Sequence, residues 1–253
     1  MKYYRYGLAI KITVIALGLI IIFSNIIKNS NQISEVYSLK KELPIYSVDR
    51  KDKKIALTID CAWGDEFTLD ILDVLDEYNV KSTFFLVGFW ADDYPHQVKE
   101  IYNRGHEIGN HSSTHPNMSQ LSKGQMIEEL ETTGNKIEEL INKKPIVFRP
   151  PYGDYNDLLI QTARELGYYT IQWDIDSLDW KELGVDPVVD KVVKNVSHGS
   201  IILCHNNAKY IKEYLPIILQ RLQEKGYEFV PISQLIYKDN FEIDNSGRQI
   251  YIK

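Results

Sequence analysis

A chain of 253 residues, 44% hydrophobic and 25% charged, holds enough apolar material for one sizeable core and too little for two full enzyme domains. Its 29 basic and 35 acidic side chains give a net charge of −6, yet the opening stretch carries four of the basic ones (Lys2, Arg5, Lys11, Lys28) and no acid. The remainder, near −10, is repelled by phosphate backbones at long range, so nucleic acid is not an expected partner.

Residues 12–27 (ITVIALGLIIIFSNII) are almost wholly apolar and follow Lys2, Arg5 and Lys11. Basic residues ahead of an apolar run are the charge order of a signal sequence or signal anchor, which puts the rest of the chain outside the cell. A span of about 20 residues is reached from Gly7 if Lys11 snorkels toward the headgroups. No convincing small-x-small cleavage site follows. Residues 1–28 are therefore expected to form a transmembrane helix, a single-pass anchor in the cell membrane, and the polar residues 29–53 a stalk linker.

From residue 54 onward, short β-rich runs alternate with helical ones. Strands are predicted at 55–60, 83–88, 106–111, 145–150, 168–175, 200–205 and 227–232. The clearest helix follows Ser122, where Ser122 and Gln125 match a capping box and Met126, Leu130, Ile137 and Leu140 form a stripe. Strands apolar on both faces and separated by helices imply a parallel sheet, either a barrel or an open doubly wound sheet. A barrel is preferred because polar residues (Asp60, His111, Arg149, Asp174 or Asp176, His205) cluster at the C-terminal ends of at least five runs. No G-x-G-x-x-G or P-loop string occurs. The tail, 239–253, alternates around Asp-Asn-Ser-Gly and could form a hairpin.

His111 and His115 stand four apart after a strand, a frequent spacing for two imidazoles on one metal. Asp60 ends an apolar strand. It suits either a helix N-cap or a base that takes a proton from water acidified by a cation. His205, also at a strand end, suits a general acid, with a core histidine as the plainer alternative. Arg149, stiffened by two prolines in FRPPYG, is a fork able to keep a carboxylate such as Asp60 ionised. Asp176 and Asp179 offer a carboxylate to orient His205, and Trp173 and Trp180 offer faces for a sugar ring or for the core. The two cysteines, Cys61 and Cys204, do not make a disulfide scaffold.

With these motifs in order, the chain resembles the polysaccharide deacetylases of the NodB-homology class, carbohydrate esterase family 4, and looks closest to their PdaB-like sporulation branch. The similarity spans about residues 54–237, so 54–238 is taken as the deacetylase domain. The resemblance implies a distorted (β/α)7 barrel, a divalent metal, commonly zinc or cobalt, and removal of acetyl groups from N-acetylated sugars. Carried over by position, it makes Asp60 the base, His111 and His115 metal ligands, and Arg149 the support of Asp60. It makes Asp179 with Trp180 the residues that tune the acid, and Leu203 with His205 the acetyl pocket and the acid. The backbone amide near Tyr152 is implied as an oxyanion donor.

One position departs from the pattern. The family has a second aspartate, the third metal ligand, where this chain has Cys61 in TIDCAWGDE. Either Cys61 binds as thiolate, or Asp65 or Glu66 reaches back, or the site has two histidines only; a carboxylate replacement ranks first. The expected protein is a membrane-anchored monomer that deacetylates a wall glycan, most plausibly peptidoglycan, in a spore-forming bacterium. The alternatives are a catalytically impaired glycan-binding or spore-assembly protein, and an O-acetyl esterase.

Overall fold

The computed structural model describes Ile20, residues 22–25, Lys28 and residues 41–252, in two units divided after Lys41. In the first unit Ile20, residues 22–25 and Lys28 are helical, and Lys41 is not. Most of the expected anchor, and the expected stalk up to residue 40, lie outside the described residues. Among those described, no helix is long and apolar enough to cross a membrane.

The second unit is built on parallel strands. In chain order its strands and helices are β1 (Ser47–Val48), β2 (Lys54–Cys61), α1 (Thr68–Glu77), β3 (Thr83–Leu86), α2 (Gly88–Asp93), α3 (Pro95–Asn103) and β4 (Glu107–Asn110). Then come α4 (Lys123–Ile141), β5 (Val147–Phe148), α5 (Asp157–Glu165), β6 (Tyr169–Thr170), β7 (Ile175–Asp176), α6 (Val185–Asn195) and β8 (Ile201–His205). The chain ends with α7 (Ile211–Glu224), β9 (Glu228–Phe229), α8 (Ile232–Leu235), β10 (Phe241–Ile243) and β11 (Arg248–Tyr251).

The main sheet runs β6-β5-β4-β3-β2-β8-β7, with β9 added on β2, and all its pairs are parallel. Each strand is followed by a crossover that returns the chain to the same end, so all C-terminal strand ends share one rim. On β2 the pleat sorts the side chains. Ile55, Leu57, Ile59 and Cys61 enter the apolar cluster shared with the helices, whereas Ala56 joins Phe85, Val147, Ile171 and Ile201 in a separate inner cluster. Thr58 and Asp60 share the parity of Ala56 and meet the buried Arg149.

Three expectations are corrected. The barrel does not close: the sheet is a curled half-barrel, and among the described residues no ladder joins β6 to β7. The predicted strand 168–175 is in fact two strands of two residues at opposite edges, because residues 171–174 cross the open side between them. Residues 42–53 are not a stalk. Ile45 bridges Ile171, Ser47 bridges Ser200, and both Ile45 and Val48 are buried, so this segment covers the gap the barrel leaves. Its closeness is permitted by Gly199, whose φ of +79° and contact with the Val48 carbonyl leave no room for a Cβ.

The capping box forms as read: Gln125 N donates to Ser122 Oγ at 3.4 Å, and the Gln125 side chain accepts from Ser122 N at 3.0 Å. Residues 241–251 form the expected hairpin, antiparallel, and its second strand pairs with β1.

Candidate active site

Asp60, His111, Arg149 and His205 lie at the C-terminal ends of β2, β4, β5 and β8, and Asp179 follows β7 in a short 3-10 turn. Asp60, His111, His115, Asp179 and His205 line one open cleft of about 580 Å³. Ala62, Trp63, Tyr152, Trp173, Trp180 and Leu203 provide its apolar and aromatic wall.

Arg149 is fully buried, and its Nη1 donates to Asp60 Oδ1 at 2.7 Å and to Thr58 Oγ1 at 2.8 Å. Its Nη2 donates to the Gln172 carbonyl at 3.1 Å, and its guanidinium lies 4.2 Å over the Phe85 ring. Burial pushes the Asp60 carboxyl up, but the charge and hydrogen bond of the Arg149 guanidinium overcome this and hold it below the usual carboxylate range. Asp60 is therefore an ionised acceptor within the cleft.

The ring of His111 has a fixed tautomer. Its Nδ1 lies 2.7 Å from the Arg149 carbonyl, which can only accept, so Nδ1 carries the hydrogen and Nε2 presents a lone pair. Burial holds this imidazole neutral, below its ordinary range. Nε2 then faces Asp60 Oδ2 at 3.5 Å, so an imidazole lone pair and a carboxylate stand side by side in the cleft. His115 takes a left-handed φ of 58°, and its ring is packed edge-on by Trp63 at 4.9 Å, His111 at 5.0 Å and Tyr152 at 4.5 Å. Its Nδ1 is buried without a partner, and burial lowers its pKa to about 4. The loop between the two histidines is braced by Glu129 of α4, which accepts from the amides of Ser113 and Thr114 at 2.7 and 2.8 Å.

These two neutral imidazoles suit a divalent cation, and the orphaned nitrogen of His115 is the observation that fits one. The expected third donors do not join them. Among the described residues no trio of His, Cys, Asp or Glu is arranged to hold a metal ion. Asp65 instead accepts from Gln97 at 2.9 Å, Glu66 is exposed, and neither lines the cleft. Cys61 falls on the helix side of β2, and burial with the Asp60 charge beside it pushes its thiol well up. The reason is parity: the residue after Asp60 on an extended strand points to the opposite face.

Across the cleft, His205 Nδ1 lies 2.7 Å from Asp179 Oδ1, and its backbone amide donates to Oδ2 at 2.9 Å. Burial pulls the His205 pKa down, but the hydrogen bond and charge of Asp179, with Asp60 and Asp176 further off, raise it on balance. An imidazole whose hold on its proton is strengthened thus shares the cleft with an ionised carboxylate, a pairing that suits general acid and base chemistry.

Tyr152 has a left-handed φ of 59° and is 64% exposed, and Trp180 is 57% exposed, so both offer rings to a ligand. Leu203 is buried on the cleft floor. Sequence reading missed Trp63, 54% exposed beside His115, although its place three residues after Asp60 was a usable signal. It also missed Tyr214, whose hydroxyl donates to Asp179 Oδ2 at 2.6 Å from a helix whose pattern reads only as core.

The sequence profile described as Polysaccharide deacetylase matches residues 47–171. A peptidoglycan-N-acetylglucosamine deacetylase of Bacillus cereus is 38% identical over 208 residues, 78% of this chain and 97% of that one. The peptidoglycan-N-acetylmuramic acid deacetylase PdaC of Bacillus subtilis is 34% identical over 82% of this chain and 44% of its own length. Among solved structures, BA3943, a family pseudoenzyme from Bacillus anthracis, superposes with a TM-score of 0.74 at 36% identity, covering 76% of this chain and 68% of that one. A mutant of the same protein, described as having restored enzymatic activity, gives 0.74 at 37%. Likeness at this level over nearly a whole relative leaves one conclusion: the chain belongs to the polysaccharide deacetylases of carbohydrate esterase family 4.

Proposed function

We propose that the chain is a hydrolase that removes N-acetyl groups from the amino sugars of a wall glycan, peptidoglycan foremost. One observation carries this reading: Asp60 hydrogen-bonded to Arg149 and His205 hydrogen-bonded to Asp179 line a single cleft. In this reading Asp60 takes the proton of the attacking water, and His205 gives one to the departing amine. The Tyr152 amide donates to the oxyanion, Leu203 forms the floor under the acetyl methyl, and Trp180 flanks the sugar. His111 and His115 would hold a divalent cation, zinc or cobalt, which when bound supplies Lewis acidity at the carbonyl and acidifies water.

The chain would act as a monomer outside the cell, anchored by residues 1–28, a reading supported by the charge order around 12–27. The Bacillus relatives support a spore-forming host. A second reading, glycan binding with little turnover, is favoured by the position of Cys61 on the wrong face of its strand. Acetate release decides. With zinc or cobalt supplied, N-acetylglucosamine oligomers and peptidoglycan should yield acetate and O-acetylated xylan should not. Retention of glycan without acetate would sink the hydrolase reading and favour the second.

A further inference from the structure

Asp179 is more than a partner of one ring. It is almost fully buried, and among the described residues its ion pair is with His205. Its Oδ1 takes the His205 ring at 2.7 Å, whereas Oδ2 accepts two hydrogen bonds, from the His205 amide at 2.9 Å and from Tyr214 Oη at 2.6 Å. Tyr214 is itself fully buried on α7, within the apolar cluster that also holds Leu215, Ile218 and Cys204. A phenol in such surroundings needs a partner, and it has been given the one carboxylate that orients the cleft imidazole.

We propose that Tyr214 is a positioning residue for the proton of His205: its hydroxyl fixes the Asp179 carboxylate and draws off part of its charge, which sets how firmly the imidazole holds its proton. The physical basis is competition among donors. A hydrogen bond from a phenol to one oxygen spreads the carboxylate charge away from the other, so the attraction exerted on an imidazolium at Oδ1 weakens. A weaker hold makes His205 a stronger acid. Other charges face the same ring: Asp60 from β2 and Asp176 from β7 add negative potential, while the neutral His111 and His115 stand on the far side of Asp60. None of these contacts Tyr214, so its contribution is separable from theirs. The kinetic consequence rests on the reading of His205 as the acid; the link between Tyr214 and the His205 proton does not.

The test uses Tyr214→Phe, which keeps the ring in its packing and deletes the hydroxyl. The His205 imidazole is titrated by NMR in the whole protein without substrate. Its midpoint should rise by about half a unit to one unit, since the negative charge that the phenol held at Oδ2 becomes available to the ring at Oδ1. In kinetics the basic limb of the kcat profile should move up in step, with kcat reduced on the plateau and KM unchanged. Should the phenylalanine variant not fold, Tyr214 replaced by 3-fluorotyrosine, a stronger donor of nearly the same size, should move the midpoint down instead. A midpoint within about 0.2 unit of the parent in a folded variant overturns the proposal and leaves Tyr214 a packing residue. A midpoint that moves while the kcat profile stays put upholds the link and removes His205 from the acid role.

Discussion

Arg149 grips Asp60 from both ends of the same residue's reach: its guanidinium donates to the carboxylate at 2.7 Å while its backbone carbonyl, 2.7 Å from His111 Nδ1, turns the neighbouring imidazole toward that carboxylate. One residue thus sets the charge of the candidate base and the tautomer of the candidate ligand. Replacing Asp60 by Asn should cut acetate release by about 10²–10⁴-fold, the usual weight of a general base, while zinc content stays unchanged. The same change leaves a buried guanidinium without its counter-charge, so unfolding free energy should drop by about 3–5 kcal/mol. Acetate release at the parental rate would take Asp60 out of the chemistry.

Cys61 supplies the second test. Its thiol is buried on the helix side of β2 and is kept protonated there, so Cys61→Ser should leave zinc affinity within about twofold of the parent. Cys61→Asp places a carboxylate on that same helix side of β2, away from the histidine pair. It is a buried, unpaired charge there, so the variant should be less stable than the parent whether or not zinc is present. Calorimetric titration should show its zinc affinity within about twofold of the parent, and an affinity raised by about tenfold or more would mean that the strand end turns residue 61 into the cleft. A loss of zinc binding in Cys61→Ser would instead make the thiolate a ligand.

How much of this was legible in the sequence depends on the range of the interaction concerned. The rim was readable because parallel strands end on one side, so Asp60, His111, Arg149 and His205 could be placed together from strand endings alone. The capping box of Ser122 and Gln125 was readable because it closes within four residues. Whether the sheet closes was not, because β6 and β7 are two residues each, and the fate of residues 171–174 depends on Ile45, far away in the chain. The third donor was misread for a local reason: Asp65 and Glu66 are near in sequence, but the turn before α1 sends Asp65 to Gln97 on α3. Tyr214 could not be found, since a tyrosine on an amphipathic helix face carries no mark that its hydroxyl ends on the carboxylate of Asp179.

Trp63 forms the wall of the cleft on the His115 side, with about half its surface open to solvent and its ring edge-on to the imidazole. An aromatic face in that place can stack on a sugar ring, worth about 1 kcal/mol. Trp63→Ala should therefore raise KM for N-acetylglucosamine oligomers by about fivefold with kcat little changed, and Trp63→Phe should restore most of the loss. A fall in kcat at constant KM would mean that Trp63 serves by holding the His115 ring and not by touching glycan.

His106 sets a pH dependence of stability that has nothing to do with the cleft. Its ring is buried edge-on to Phe84 at 5.3 Å, Nδ1 accepts from the Ser82 amide at 3.2 Å, and Nε2 has no partner. Burial first, then the charge of Lys81, lower its pKa from 6.5 to about 4. The unfolded chain therefore binds a proton below about pH 6.5 that the folded chain refuses until about pH 4, so this histidine stabilises the fold above pH 6.5 and its contribution drains away as pH falls through that window. The full swing is about 3 kcal/mol, from 1.36 kcal/mol per unit. His106→Asn keeps an acceptor for the Ser82 amide and cannot titrate there. Urea unfolding at pH 7 and pH 4.5 should show the parent losing more stability than the variant, by roughly 2–3 kcal/mol, since the carboxylates titrate alike in both. Equal losses would mean that the His106 ring takes up its proton inside the folded protein at its ordinary pH.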